Sequence, residues 1–318
     1  MRPTYLSVLF FLITAVSFAQ DDLIQLKSVS DTILNPKRTL QMADPFDGLK
    51  TMQKLFPGKL YKLSDNNTFL SWKCKNCKPS AYTDVNGVEG DQMFPYKEGV
   101  ATRLLDNISY TDSKVNQFKL LFFNHSDYDA DGLQTGRFSG GLIGVAKFAK
   151  NDNVWQMRSF QPAIAAFGAF SRAPSPKLVE IGDDQYAFTL VHSNGGAGAP
   201  YYDYLYLIVG FNGKYQPLME VGNYRLSNTG NGSNWSSTYK VVNDNNKKYF
   251  RDIVITTTGF YTKFKGGDDE YEVDMPEEVS EMAKTKKQFN FSIERHFSFK
   301  GKWYNAVGKS IVKFSNVK

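Results

Sequence analysis

The chain has 318 residues with 38 Lys and Arg against 32 Asp and Glu, a mild formal charge of +6. The lysines are spread along the chain, and the densest clusters, at 73–78 and 284–287, lack the density of a nucleic-acid-binding tail. No segment after the N-terminus is apolar for long enough to serve as a transmembrane anchor.

Residues 1–19 read as a removable export signal. Arg2 supplies the positive end, 5–16 form a short apolar run, and Ser17-Phe18-Ala19 is a small-x-small cleavage site. The expectation is an exported, soluble protein, periplasmic or secreted. Residues 20–99 then read as an irregular region and 100–318 as an antiparallel β core continuous with it. The 25 Phe, 18 Tyr and 4 Trp, in runs broken by Asn and Gly, point to a mainly β fold of antiparallel hairpins with two short helices.

In chain order, 44–56 predicts the first helix. Asp44 is placed to cap it, Pro45 to stand at its first position, and Pro57-Gly58 to stop it. Residues 60–63 and 68–73 read as strands, followed by a looser stretch over 82–98. Strand signals thicken at 100–105, 108–110 and 118–124. Hairpins are expected for 142–148 with 154–160, for 178–181 with 186–192, and for 204–211 with 215–221 over Asn212-Gly213. A polar stretch over 223–237 precedes strands at 239–242 and 250–258. Residues 276–287 predict the second helix, with Glu277 and Glu278 in the first turn and lysines in the last. A last hairpin joins 289–299 to 303–307, and 311–314 ends the chain. The turns Phe211-Asn-Gly-Lys-Tyr215 and Phe299-Lys-Gly-Lys-Trp303 repeat one pattern at unequal spacing, which leaves both a propeller-like meander and a sandwich open.

Cys74 and Cys77 are the only cysteines, and in an exported chain an even count predicts a disulfide. The spacing matches a thioredoxin-type motif, but no βαβ pattern surrounds it, so a loop-closing bridge is expected. His192-Ser193 precedes Gly195, Gly196 and Gly198 without a Gly-x-Ser-x-Gly elbow, and reads as a wide loop. Tyr202, Tyr204 and Tyr206 alternate along one strand. They are candidates for a glycan- or peptide-binding surface, against ordinary sheet packing.

The sharpest local chemistry is Asp127-Tyr-Asp129-Ala-Asp131-Gly132. Carboxylates at spacing two can converge on a cation, with the backbone carbonyl of Leu133 at the seventh position and Thr135 at the ninth. Phe138 stands where an EF-hand carries its bidentate Glu, and the following residues read as strand. The loop resembles calcium-binding DxDxDG loops of β-hairpin type, and the cofactor expected is Ca²⁺ on Asp127, Asp129, Asp131, Leu133 and Thr135. The wider arrangement, Cys74-x-x-Cys77 with Phe167-Gly-Ala-Phe170 and Leu178-Val-Glu-Ile-Gly182, resembles exported bacterial proteins of an uncharacterised family, which implies no activity. The functional expectation is a calcium-stabilised binding or surface-structural module. The alternative is a secreted, glycan-directed hydrolase using carboxylates near 127–131.

Overall fold

The computed structural model describes residues 25–65, 67–87, 92–127, 138–195, 200–227, 232–243, 246–263 and 273–318. They form two large sheets, a small hairpin and two α-helices. In chain order the strands are β1 (Lys27–Val29), β2 (Gln41–Ala43), β3 (Lys59–Ser64), β4 (Asn67–Cys74), β5 (Ser80–Tyr82), β6 (Gln92–Phe94), β7 (Val100–Thr111), β8 (Gln117–Asp127), β9 (Gly141–Asn151) and β10 (Val154–Gln161). They continue as β11 (Ala166–Phe167), β12 (Lys177–Gly182), β13 (Gln185–Gly195), β14 (Tyr201–Phe211), β15 (Lys214–Ser227), β16 (Asn234–Val241), β17 (Ile253–Thr262), β18 (Gln288–Phe299) and β19 (Tyr304–Ser315). Helix α1 is Gly48–Leu55 and α2 is Glu277–Thr285.

The first sheet runs β1-β4-β7-β8-β9-β10-β2, with β3 on β4 and β11 on β9. Among its described strands only β1 and β4 pair parallel, besides the isolated parallel bridge Asp84–Ala166. The region before Val100 is therefore woven into this sheet through β2 and β4. The second sheet runs from β12 to β19 in sequence order, each strand antiparallel to the next. This is a sandwich-like stack of sheets, mainly β as expected.

Strand periodicity explains the stacking. On β8, Leu121 and Phe123 face α1, while Leu120 and Phe122 face the second sheet. On β9, Leu142, Ala146 and Phe148 alternate in the same way with Ile143 and Val145. On β14, Tyr206 and Ile208 meet the first sheet, while Leu205, Leu207 and Val209 build a further core behind it. These strands are buried on both faces, so they read as continuous apolar runs. Phe122 and Phe188 join the sheets edge to face, with centroids 4.8 Å apart.

The second sheet bends back on itself. β15 carries two register shifts and meets β16 only at Arg225–Ser236 and Leu226–Trp235. The later strands fold across the earlier ones, bringing the Thr189 and Tyr239 hydroxyls to 3.3 Å. The amides of Arg251 and Asp183 donate to the carbonyls of Ile181 and Lys248, both at 2.7 Å. Helix α2 covers a second pocket of core around Trp235, Phe289 and Phe291.

The first helix departs from expectation at its start. Asp47, not Asp44, caps it, accepting the Lys50 amide at 2.9 Å. Asp44 instead accepts the Trp155 indole at 2.8 Å and pairs with Lys150, which pins β2 to β10. The hairpin turn between β14 and β15 behaves as read. Asn212 and Gly213 both have positive φ, 51° and 77°, as a two-residue hairpin loop requires.

Candidate functional site

The end of β8 and the end of β13 lie at one edge of the stack, where Gly140 before β9 and His192 on β13 join one hydrogen-bond network. β8 ends there at Asp127, whose carboxyl is pushed above its ordinary range by desolvation although the residue as a whole is exposed. Asp129, Asp131, Leu133 and Thr135 lie outside the described residues. Among the described residues no group of three or more His, Cys, Asp or Glu is placed to hold a metal ion.

Near the end of β8, one carboxylate holds several segments together. Asp84 is buried. Its Oδ1 accepts the backbone amide and side-chain amide of Asn86 at 3.0 and 2.9 Å, and its Oδ2 accepts the Gly140 amide at 2.8 Å. Asn86 also donates to the Gly168 carbonyl at 2.9 Å. The Gly168 amide in turn donates to His192 Nδ1 at 2.8 Å. Gly168 has φ +80°, and a Cβ there would stand 2.0 Å from the Arg172 carbonyl, so the turn requires glycine. His192 is buried, and desolvation lowers its pKa, so the neutral ring is an acceptor for this turn. The Tyr82 and Tyr96 hydroxyls stand 3.3 Å apart nearby, and burial raises both phenols. With its lone pairs turned to amide donors, the Asp84 network is a clamp rather than an acid–base pair.

The three tyrosines do not form an open surface. Tyr206 is buried against Phe167, with centroids 5.1 Å apart. Tyr204 is half-buried beside His192. Tyr202 is half-buried against the α2 core, and its hydroxyl accepts the Asp274 amide at 2.9 Å. Cys74 and Cys77 form the disulfide, at the end of β4 and not at a helix N-terminus. His125 is fully buried in the first sheet and His296 pairs with Glu294 at 2.8 Å on the second, so the three histidines share no centre.

An open trough of about 590 Å³ crosses β15 to β18. Its walls are Arg225, Asn234, Ser236, Thr258, Phe260 and Asn290, above Leu226, Trp235, Gly259 and Phe291. Two cross-strand rows build it, Arg225–Ser236–Thr258 and Asn234–Phe260–Asn290. Between them runs the row whose side chains turn to the α2 core. Gly259 lies in that row because a Cβ would meet Trp235 Cβ at 2.4 Å and Phe291 Cζ at 2.7 Å. Arg225 is held by the buried carboxylate of Asp203 on β14, leaving about half of its side chain exposed. Among the described residues the lining contains no Asp, Glu, His, Cys or Lys. In the sequence this stretch passes for a polar loop, because the Asn- and Ser-rich run before β16 masks the alternation of Asn234, Ser236 and Thr238.

No protein-family model, curated protein or solved structure matches the chain.

Proposed function

We propose that the protein is an exported binding module whose ligand site is the trough across β15–β18, and that the ligand is an uncharged oligosaccharide. The observation that carries this reading is the lining. Amide and hydroxyl groups of Asn234, Ser236, Thr258 and Asn290 surround the ring of Phe260 on a rigid sheet. Fixed hydrogen-bonding groups beside an aromatic face suit a sugar, which is polar at its edge and apolar on its ring face. Glycoside hydrolysis uses a pair of carboxylates. Among the described residues the lining supplies none, which favours binding over the hydrolase alternative. A panel of immobilised neutral oligosaccharides tests the reading. Thr258 is exposed, so Thr258→Trp fills the trough without disturbing the core. Retention of at least one oligosaccharide is expected, with loss in the Thr258→Trp variant at an unchanged melting temperature. A panel on which the native chain retains nothing rejects the ligand class.

Calcium belongs to the same proposal, as a stabiliser held by Asp127, Asp129, Asp131, the Leu133 carbonyl and Thr135. The supporting observation is the carboxyl of Asp127 at the end of β8, whose pKa desolvation raises and which a divalent cation alongside would stabilise in its charged form. With no bidentate Glu, the affinity expected is on the order of 10⁻⁴ to 10⁻³ M. Millimolar calcium should raise the melting temperature, and Asp129→Ala should remove that rise. Superimposable melts in calcium and in chelator would reject the site.

A further inference from the structure

The second sheet ends in a long strand with one side unpaired. β19 has 12 residues and bonds to β18 along one edge. Among the described residues nothing pairs with its other edge. The pairing with β18 shifts register between Val307 and Ile311, around Gly308 with φ +73°, and the unpaired edge beyond that shift is a template for another strand. Its two faces differ. Val312 and Phe314 stand opposite Ile293 and Phe291; Val312 packs into the core under α2, and Phe314, 36% exposed, meets Phe289 edge to face. Lys309, Ile311 and Lys313 alternate on the solvent side, with Ile311 52% exposed. From residue 300 to 318 the chain carries Lys300, Lys302, Lys309, Lys313 and Lys318 and no Asp or Glu.

We propose that β19 is the docking edge for an extended acidic peptide segment of a partner protein, which adds to the sheet as a further strand. The main-chain groups of the edge supply the pairing, and the side chains supply the choice of partner. Opposite Lys309, Ile311 and Lys313, the matching strand carries acid-x-apolar-x-acid on one face. Opposite charges directly across a pair stabilise it and like charges oppose it. That rule disfavours a second copy of this chain, because antiparallel self-pairing about Ile311 sets Lys309 against Lys313 twice. Lysines alone also guard an edge against unwanted pairing. A guarded edge has no use for an exposed isoleucine between them, nor for Trp303 and Val317, each 40% exposed, at either end of the strand.

The test uses the full chain and a labelled peptide alternating Thr with Glu, Val and Glu, followed by fluorescence anisotropy. Saturable binding is expected. The double variant Lys309→Glu, Lys313→Glu should weaken it by about tenfold or more, because two attractive cross-strand pairs become repulsive. Methylating the peptide's alternate amides, which removes the main-chain donors on its pairing edge, should abolish binding. A peptide with Lys in place of Glu should not bind. Equal binding of the methylated peptide would reduce the contact to charge attraction and overturn strand addition. No binding of the parent peptide would overturn the proposal outright. Concentration-dependent dimerisation in sedimentation, lost on Ile311→Lys, would assign the edge to a second copy instead. Both lysines are exposed, and an unchanged far-ultraviolet melting curve separates lost binding from lost folding.

Discussion

The two sheets bury polar chemistry in opposite ways. In the first, the longest buried chain of polar groups is uncharged and linked in series, beside the buried guanidinium of Arg103, which bonds to Asn67 and Ser126. The Trp72 indole donates to Thr102 Oγ1 at 2.8 Å, Thr102 Oγ1 bonds to His125 Nδ1 at 2.7 Å, and His125 Nε2 bonds to the Pro162 carbonyl at 3.1 Å. Rings of Phe56, Phe94 and Phe123 close around the imidazole. In the second sheet, opposite charges meet in pairs, each with at least one partner partly exposed: Arg251 with Asp183, Lys247 with Asp252, Arg225 with Asp203 and Arg295 with Glu278. The first arrangement needs close packing and one protonation state. The second keeps partial access to water. The sheets should therefore respond differently to crowding and to acid.

The largest effect expected is from crowding in the first sheet. A Cβ on Gly144 would lie 2.1 Å from Phe123 Cε2 and 2.2 Å from the Pro162 carbonyl oxygen. The second atom is backbone and cannot swing away. Gly144→Ala should cost about 3 kcal/mol in urea unfolding. Gly222→Ala in the second sheet is the control, since its Cβ would meet Tyr204 at 3.4 Å, an ordinary contact. Equal midpoints for the two variants would contradict the comparison.

Most of the strands are legible in the sequence, because alternation and turn chemistry are local. β7 reads as two pieces, and the register shift between Leu104 and Asp106 is the reason: the extra residue inverts the alternation. β19 likewise splits at Gly308, whose φ is +73°. The first helix cap reads three residues early, because Asp44 and Asp47 both have the chemistry of a cap and only packing against Trp155 decides between them. The His125 chain is illegible for a different reason. Thr102, His125 and Trp72 are distant in sequence and meet only through the pairing of β4, β7 and β8. Of the proposed calcium set, only Asp127 falls among the described residues.

Acid should separate the sheets next. Burial lowers His125 to about 3, far below the ordinary histidine value, despite the bond to Pro162. Its folded pKa lies below the unfolded one, so the unfolded chain takes up the proton first. The stability that neutral His125 supports is complete above pH ~6.5 and is lost as pH falls from there toward ~3, at ~1.4 kcal/mol per pH unit. His125→Phe should reduce that slope between pH ~6.5 and ~4.5, above the range in which ordinary carboxylates titrate, leaving the contribution of His192, whose pKa burial also lowers. Thr102→Val should cost about 1–3 kcal/mol at neutral pH by stranding the indole donor. A slope undiminished in His125→Phe would place the acid sensitivity elsewhere.

The smallest effect expected belongs to the ion pair that fastens α2. Arg295 donates to both oxygens of Glu278, and Ser310 Oγ donates to Oε1 at 3.0 Å, so one carboxylate ties the helix to β18 and β19. Desolvation alone would raise this carboxyl, but the hydrogen bond from Arg295 and the nearby positive charge outweigh it and lower the pKa. A lowered carboxylate contributes stability above its unfolded value, ~4.5, and loses it as pH falls through the folded value. Glu278→Gln keeps the shape and removes the charge. Both side chains retain some solvent access, 14% for Arg295 and 19% for Glu278, so the cost at neutral pH should be only about 1 kcal/mol. The gap between the native chain and Glu278→Gln should then close below pH ~4.5, a window that begins where the His125 slope is already well developed. A gap that stays constant into acid would mean that the Glu278→Gln variant loses packing rather than charge, and the contrast between the two sheets would fail on its second half.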